Sequence, residues 1–345
     1  MVHGWTGRSH HDSARKGAFS ARVDLAANKV GEADAARSLI GIVQDAGGAS
    51  VYTFDYHAAS ARWVTDAAIA PKLAEAITCL SATHGHPAVI MAHSMGGNAT
   101  RHALSVIEQS GSALADNVSD VVTFGTPNAG SWLASVVDVS HRTTAYAALF
   151  PGASAEAITA MRSLIVLCGT LTTGSLDESG VCSTLPDQIS SAQSAAGHAL
   201  QLGSAEIRSL ARWPEGVAVH GLAGSIDLEI TRLTWFRGNI PVGSVNTGDF
   251  VVGAGSATDN PGESRTVDCA YTLDVRGANE DNILEALKLK AANETRDNAY
   301  TSLTSWACFH GNLMRSIELT NEALGVIADV VDARTRRSTR RKPLR

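Results

Sequence analysis

Aromatic residues make up only 5% of the 345 positions and charged residues 18%, with a formal net charge of −6. The body of the protein therefore offers no basic field for nucleic acid. No apolar run approaches the ~18 residues of a membrane span. The chain opens "MVHGWTGRSHHD" with no apolar stretch that would mark a signal peptide. Cysteines number five, Cys79, Cys168, Cys182, Cys269 and Cys308, and their spacing forms no close-set metal motif. An odd count permits two disulfides and one free thiol, with the pairing open. There is no internal repeat. What remains is a chain with 44% apolar residues, long enough for one large α/β domain with an insertion, or for two domains.

The stretch "VIMAHSMGGNATRHAL", residues 89–104, carries the strongest signal. Pro87 to Met91 reads as a short buried strand, and Ala103, Leu104 and Ile107 recur at helical spacing after it. Ser94 thus sits on a turn leading directly from strand to helix. A residue held in such a strained turn tolerates only small neighbours two positions away, and Ala92 and Gly96 meet that demand.

Around this element the chain alternates. Glu32 to Ala46 reads as a helix, "ASVYTFDY" as a strand and "TDAAIAPKLAEAITCL" as a helix with Ile69, Leu73, Ile77 and Leu80 on one face. "SDVVTFGTPNAGS" reads as a buried strand entering a glycine-rich loop. Such alternation predicts a mostly parallel sheet flanked by helices. The rhythm breaks between Trp132 and Trp213, where a mainly helical insertion is expected over about 132–215. "VAVHGLAGSI" then reads as a strand, followed by an irregular stretch and "GDFVVGAGSAT". "NILEALKLK" reads as a short helix and "RSIELTNEALGVIADVVDA" as a final amphipathic one. Residues 1–333 form the expected domain, and the basic run from Arg334, 334–345, reads as a disordered tail with a weak attraction to anionic surfaces as its alternative.

A serine hydroxyl needs a base beside it, a carboxylate to orient that base, and amide donors for the oxyanion that forms. In open α/β sheets these gather at the carboxyl ends of strands. Of twelve histidines, His84, His86, His93 and His102 lie before Ser94 or in its helix. His198 lies in the insertion and His220 inside a strand. His310, in "SWACFHGNLM", stands on a loop before the last helix and is the expected base. Asp249 in "TGDFVVGAGSAT" is the favoured acid, with Asp227 in "AGSIDLEI" as the alternative. Met95, after the nucleophile, is expected to give one oxyanion amide, and Trp5 of "VHGWTG" the second.

Taken in order, "VHGWTG", "AHSMGG", "VTFGTPNAGS", "GDFVVGAGSAT" and "CFHGNLM" resemble the lipase and esterase branch of the α/β-hydrolase superfamily, in the manner of secreted actinobacterial triacylglycerol-lipase-like proteins. The resemblance implies an α/β-hydrolase fold with a cap or lid over 132–215, and a triad of Ser94, Asp249 and His310. It implies Trp5 and Met95 as oxyanion amides, no cofactor and no metal. The implied substrate is an acyl ester or lipid, met at a lipid–water interface. Cys269–Cys308 and Cys168–Cys182 are the bridges it implies, consistent with secretion. The chain departs from the family pattern at Asn128, where histidine is common, and at Phe250, where glycine is common. It also lacks the strand expected before the His-Gly loop, since Met1 takes the place of that strand's last residue; a start farther upstream, with a secretion signal, is the expectation. Read without the resemblance, the same scaffold also accommodates a thioesterase, an amidase or a silent binding protein.

Overall fold

The computed structural model describes residues 1–9, 17–27, 37–45, 49–139, 194–234, 238–274 and 306–340. Among them, five strands make one mixed sheet: β1 (Ala88–His93), β2 (Val118–Phe124), β3 (Ala218–Thr234), β4 (Gly238–Asn246) and β5 (Ser264–Asp274). β1 pairs parallel with β2, β2 with the first residues of β3, and β5 with β3 from Gly221 to Thr231. β3 runs on beyond the end of β2, and β4 takes up that exposed edge as an antiparallel partner from Asp227 to Thr234.

Side chains alternate across the strands with the two-residue period of a pleated ribbon. Ile90, Ala92 and Val121 join one core, Met91, Val122 and Phe124 the other. The principal helices are α1 (Leu39–Asp45), α2 (Ala70–His84), α3 (Met95–Gln109), α4 (Trp132–Val139) and α5 (Ile317–Arg340). Leu73 and Ile77 of α2, with Ala99, Ala103 and Leu104 of α3, cover the first face. Leu39, Ile40 and Val43 of α1, with Leu319, Ala323 and Ile327 of α5, cover the second. Burial contributes ~1.5–3 kcal/mol for each large aliphatic side chain, so two covered faces explain why β1 reads as a nearly unbroken apolar run from Ala88 to Ala92. Pro71 sits in the first turn of α2, and Gly85 ends the helix at φ 67°.

Several expectations need correction. The sheet is mostly parallel, as read, but the stretch read as irregular after β3 adds one antiparallel pair, the β3–β4 ladder; Pro241, which has no N–H to give, pairs with Thr231 at a register shift. "ASVYTFDY" forms no full strand: of it, only Phe54 bridges, in parallel to Val2. The residues of the helix expected from Glu32 that are described begin it only at Leu39. α5 continues through Arg334 to Arg340, so the described part of the basic run is helical, and residues 341–345 lie outside the described residues. Among the described residues of 132–215 are α4 and two short helices, Ala195–Ala199 and Ala205–Ser209, capped by the Ser194 and Ser204 hydroxyls. Cys168, Cys182 and "NILEALKLK" lie outside the described residues.

At the start of the chain, Val2 bridges Phe54 on one side and Ala92 of β1 on the other, both parallel. Its N–H donates to the Met91 carbonyl at 2.8 Å and its carbonyl accepts from His93 N–H at 3.0 Å. This places the following residues, His3 to Gly7, at the carboxyl end of β1. Beside Met1 lies a cavity of about 570 Å3 walled by Val43, Leu73, Ile77, Val89 and Ile327. Neither Ser94 nor His310 borders it.

Candidate active site

Ser94 connects β1 to α3 with φ 54° and ψ −132°. Few residues other than glycine adopt that conformation, so the turn stores strain that its surroundings must hold. Ser94 N–H donates to the Phe124 carbonyl at 2.8 Å, and the Ser94 carbonyl accepts from Gly97 N–H at 2.9 Å and from Thr126 Oγ1 at 3.1 Å. The two glycines that follow have separate reasons. A Cβ on Gly96 would overlap the carbonyl oxygens of Val2 and His3; one on Gly97 would overlap the Thr126 side chain.

The Ser94 hydroxyl lies 2.9 Å from His310 Nε2, and His310 Nδ1 lies 2.7 Å from Asp249 Oδ2. Ser94, His310 and Asp249 are all buried, Asp249 completely. The other carboxylate oxygen, Oδ1, accepts from the N–H groups of Val251 at 3.0 Å and Val252 at 2.7 Å. Three donors thus hold one carboxylate, and its position leaves Nδ1–H as the proton-bearing nitrogen and Nε2 as the acceptor facing serine. Main-chain contacts bind the same partners: His310 N–H donates to the Asp249 carbonyl at 2.9 Å. His310 opens a short 3-10 turn, His310–Arg315, and two residues before it Cys308 is bridged to Cys269 on β5.

Gly125, on the loop after β2, packs against this pair. It has φ 58°, and a Cβ there would stand 2.7 Å from Asp249 Oδ2 and 3.0 Å from His310 Nδ1. Phe250 follows Asp249 with φ 74°, a conformation that favours glycine; it is buried, edge-on to Trp132 at 5.7 Å.

The loop after Val2 crosses directly above the serine. A Cβ on Gly4 would come within 2.6 Å of Ser94 Cβ. His3 anchors the loop: its Nδ1–H donates to the Gly4 carbonyl at 2.6 Å, its Nε2 accepts from Tyr56 N–H at 2.9 Å, and its ring stacks on Tyr56 at 4.1 Å. Burial lowers the His3 pKa below the usual imidazole value, which the Gly4 bond and Asp55 oppose only in part. Trp5 N–H makes no hydrogen bond among the described residues. Met95 opens α3, and its N–H is among the four a helix leaves without an internal acceptor.

The structure thus gathers Ser94, His310 and Asp249 and leaves Asp227 apart. Asp227 is an exposed residue of β3 that accepts from Asn246 Nδ2 at 2.6 Å. The strand that bears it turns it to solvent, and none of its hydrogen bonds reaches His310. His220 pairs with Asp120 at 3.2 Å. Two residues of the site were missed from sequence. His93, set aside on chain order, touches His310 through its ring and its Nε2. Gly125 had a signal in "TFGTP", a glycine closing a strand. Among the described residues, no three His, Cys, Asp or Glu side chains form a group able to hold a metal ion. No helix among them is long and apolar enough to cross a membrane.

No protein-family model matches this chain, and no curated protein does. Among solved structures, lipase 1 from Pelosinus fermentans is similar over 60% of this chain and 71% of its own, at 15% identity and a TM-score of 0.24. A likeness that slight carries no argument about what this chain does.

Proposed function

We propose that this chain is a serine hydrolase of the α/β-hydrolase fold that cleaves carboxylic esters through an acyl-enzyme. The observation that carries the reading is the buried chain of hydrogen bonds from Ser94 through His310 to Asp249, built on a strained strand-to-helix turn. Ser94 Oγ attacks the acyl carbonyl while His310 Nε2 takes its proton, and the Asp249 carboxylate stabilises the imidazolium. The N–H groups of Met95 and Trp5 receive the developing oxyanion. His310 returns the proton to the departing alcohol, then activates water to release the acid.

Medium or long acyl chains, acylglycerols included, are the proposed substrates, with the insertion over 132–215 as the cover of an acyl groove. The Cys269–Cys308 bridge suits the oxidising conditions of secretion. A fluorophosphonate probe tests the reading: the folded protein is expected to be labelled at Ser94, and Ser94→Ala to lose labelling and on the order of 10³-fold or more in kcat. Absence of labelling would sink it. A p-nitrophenyl ester panel from short to long chains, with and without an interface, reads the acyl preference.

A further inference from the structure

His93 immediately precedes Ser94, at the end of β1, and reaches across 217 positions of sequence to the base. Its Nε2 lies 3.0 Å from the backbone carbonyl of His310, and the two rings stand 4.8 Å apart between centroids. A carbonyl only accepts, so His93 Nε2 carries the proton and donates it. Both imidazoles are buried.

We propose that His93 is a positioning residue, a neutral Nε2–H donor that ties the main chain of the base to the strand carrying the nucleophile. This rests on the reading of Ser94 and His310 given above. The main chain of His310 is held at both polar groups: its N–H by the Asp249 carbonyl and its C=O by His93. The first contact ties the base to its acid; the second ties it to the residue that precedes Ser94. The base sits on a short 3-10 turn remote from β1 in the chain, so the 2.9 Å gap between Ser94 and His310 depends on a link between the two elements. His93 supplies it from the residue adjacent to the serine. The site also keeps His93 uncharged: burial, then the neighbouring His310, holds its pKa well below the usual imidazole value. A cation there would repel the imidazolium that forms on His310 during turnover. Gly4 makes the room, since a Cβ on it would sit 3.1 Å from His93 Nδ1.

Displacement of a catalytic group by 1 Å costs on the order of 10²-fold. His93→Leu is therefore expected to lower kcat and the rate of fluorophosphonate labelling by roughly 10- to 100-fold, with little change in KM. His93→Gln, which offers a neutral N–H at similar reach and does not titrate, is expected to recover most of that loss and to keep the pH profile of the wild type. A His93→Gln as impaired as His93→Leu, or a wild-type labelling rate in His93→Leu, overturns the proposal. Imidazole ¹⁵N spectra of the unaltered protein need no variant to fold. A neutral Nε2–H tautomer for His93 at pH 7 supports the proposal, and an Nδ1–H tautomer or an imidazolium overturns it. Labelling of the wild type at Ser94 separates the two readings: if it fails, the nucleophile reading fails, whatever the spectra show of His93.

Discussion

Gly125 and Asp249 meet so closely that a single added carbon would stand 2.7 Å from the carboxylate oxygen that His310 uses. The same carbon would press on Leu313 at 2.7 Å, and Gly125 already has φ 58°. Gly125→Ala therefore combines a left-handed backbone penalty of about 1–2 kcal/mol with overpacking of about 1–3 kcal/mol. It also forces apart Asp249 and His310. We expect a lower melting temperature and a fall in kcat larger than the stability loss alone explains. Denaturant unfolding and active-site titration on the same sample check this, and a variant with full kcat per folded molecule contradicts it.

Asp249 and Asp227 both follow strand-like sequence, but only Asp249 touches His310. Asp249→Asn preserves shape and replaces the charge, leaving the imidazolium uncompensated and the wrong tautomer available. A loss on the order of 10³-fold or more in kcat is expected. Asp227→Asn, at an exposed position on β3, is expected to leave kcat within about twofold, the usual range for a surface change. Steady-state kinetics of the two variants side by side decides between the carboxylates.

The Cys269–Cys308 bridge spans a sequence separation of 39 and ends two residues before His310. In the chain-entropy picture a loop of that size contributes roughly 4 kcal/mol. Gly224 lies under the Cys308 carbonyl so closely that a Cβ there would overlap it, which docks this end of the loop on β3. Reduction, or Cys308→Ser, is expected to lower stability by a few kcal/mol and to reduce kcat as His310 loosens. Melting curves and ester hydrolysis with and without reductant measure both effects. Equal stability in the two states would exclude the bridge as a support of the site.

Much of this is legible in the sequence. Ser94 was readable because strand, turn and helix each leave a local signature within twenty residues. Asp249 and His310 followed from where loops must fall in an alternating α/β chain. What was not legible depended on contacts between distant segments. The β3–β4 ladder was hidden because β3 outruns β2, a fact of sheet geometry that local composition does not carry. Phe250 stood out as an unexpected residue, and the structure gives the reason glycine suits its place: φ is 74°, and the ring compensates through burial against Trp132. His93 was set aside by chain order, which speaks to the base and says nothing of a residue that holds the base in place.

His3 and His93 are kept neutral by burial, and that has a sign for stability against pH. Both have folded pKa values below the usual imidazole value, His93 well below. In the unfolded chain they take up protons as pH falls through about 6.5, while the folded protein resists. The unfolded state then binds more protons, so stability is full above about pH 6.5 and declines below it, until the folded pKa is reached. The geometry agrees: protonation of His3 Nε2 would break the bond it accepts from Tyr56 N–H, although Asp55 at 3.7 Å would favour the added charge, with His57 and Arg8 opposing it. At His93 the facing groups are His310 and His3. Each histidine contributes a slope of up to about 1.4 kcal/mol per pH unit in that window. Urea unfolding between pH 5 and 8 is expected to show stability falling on the acid side, and His93→Gln is expected to flatten that fall because glutamine does not titrate. Carboxylates elsewhere affect both proteins alike, so the difference between the two curves isolates His93. Parallel curves would mean that His93 carries its proton equally well in both states, contrary to its burial beside His310.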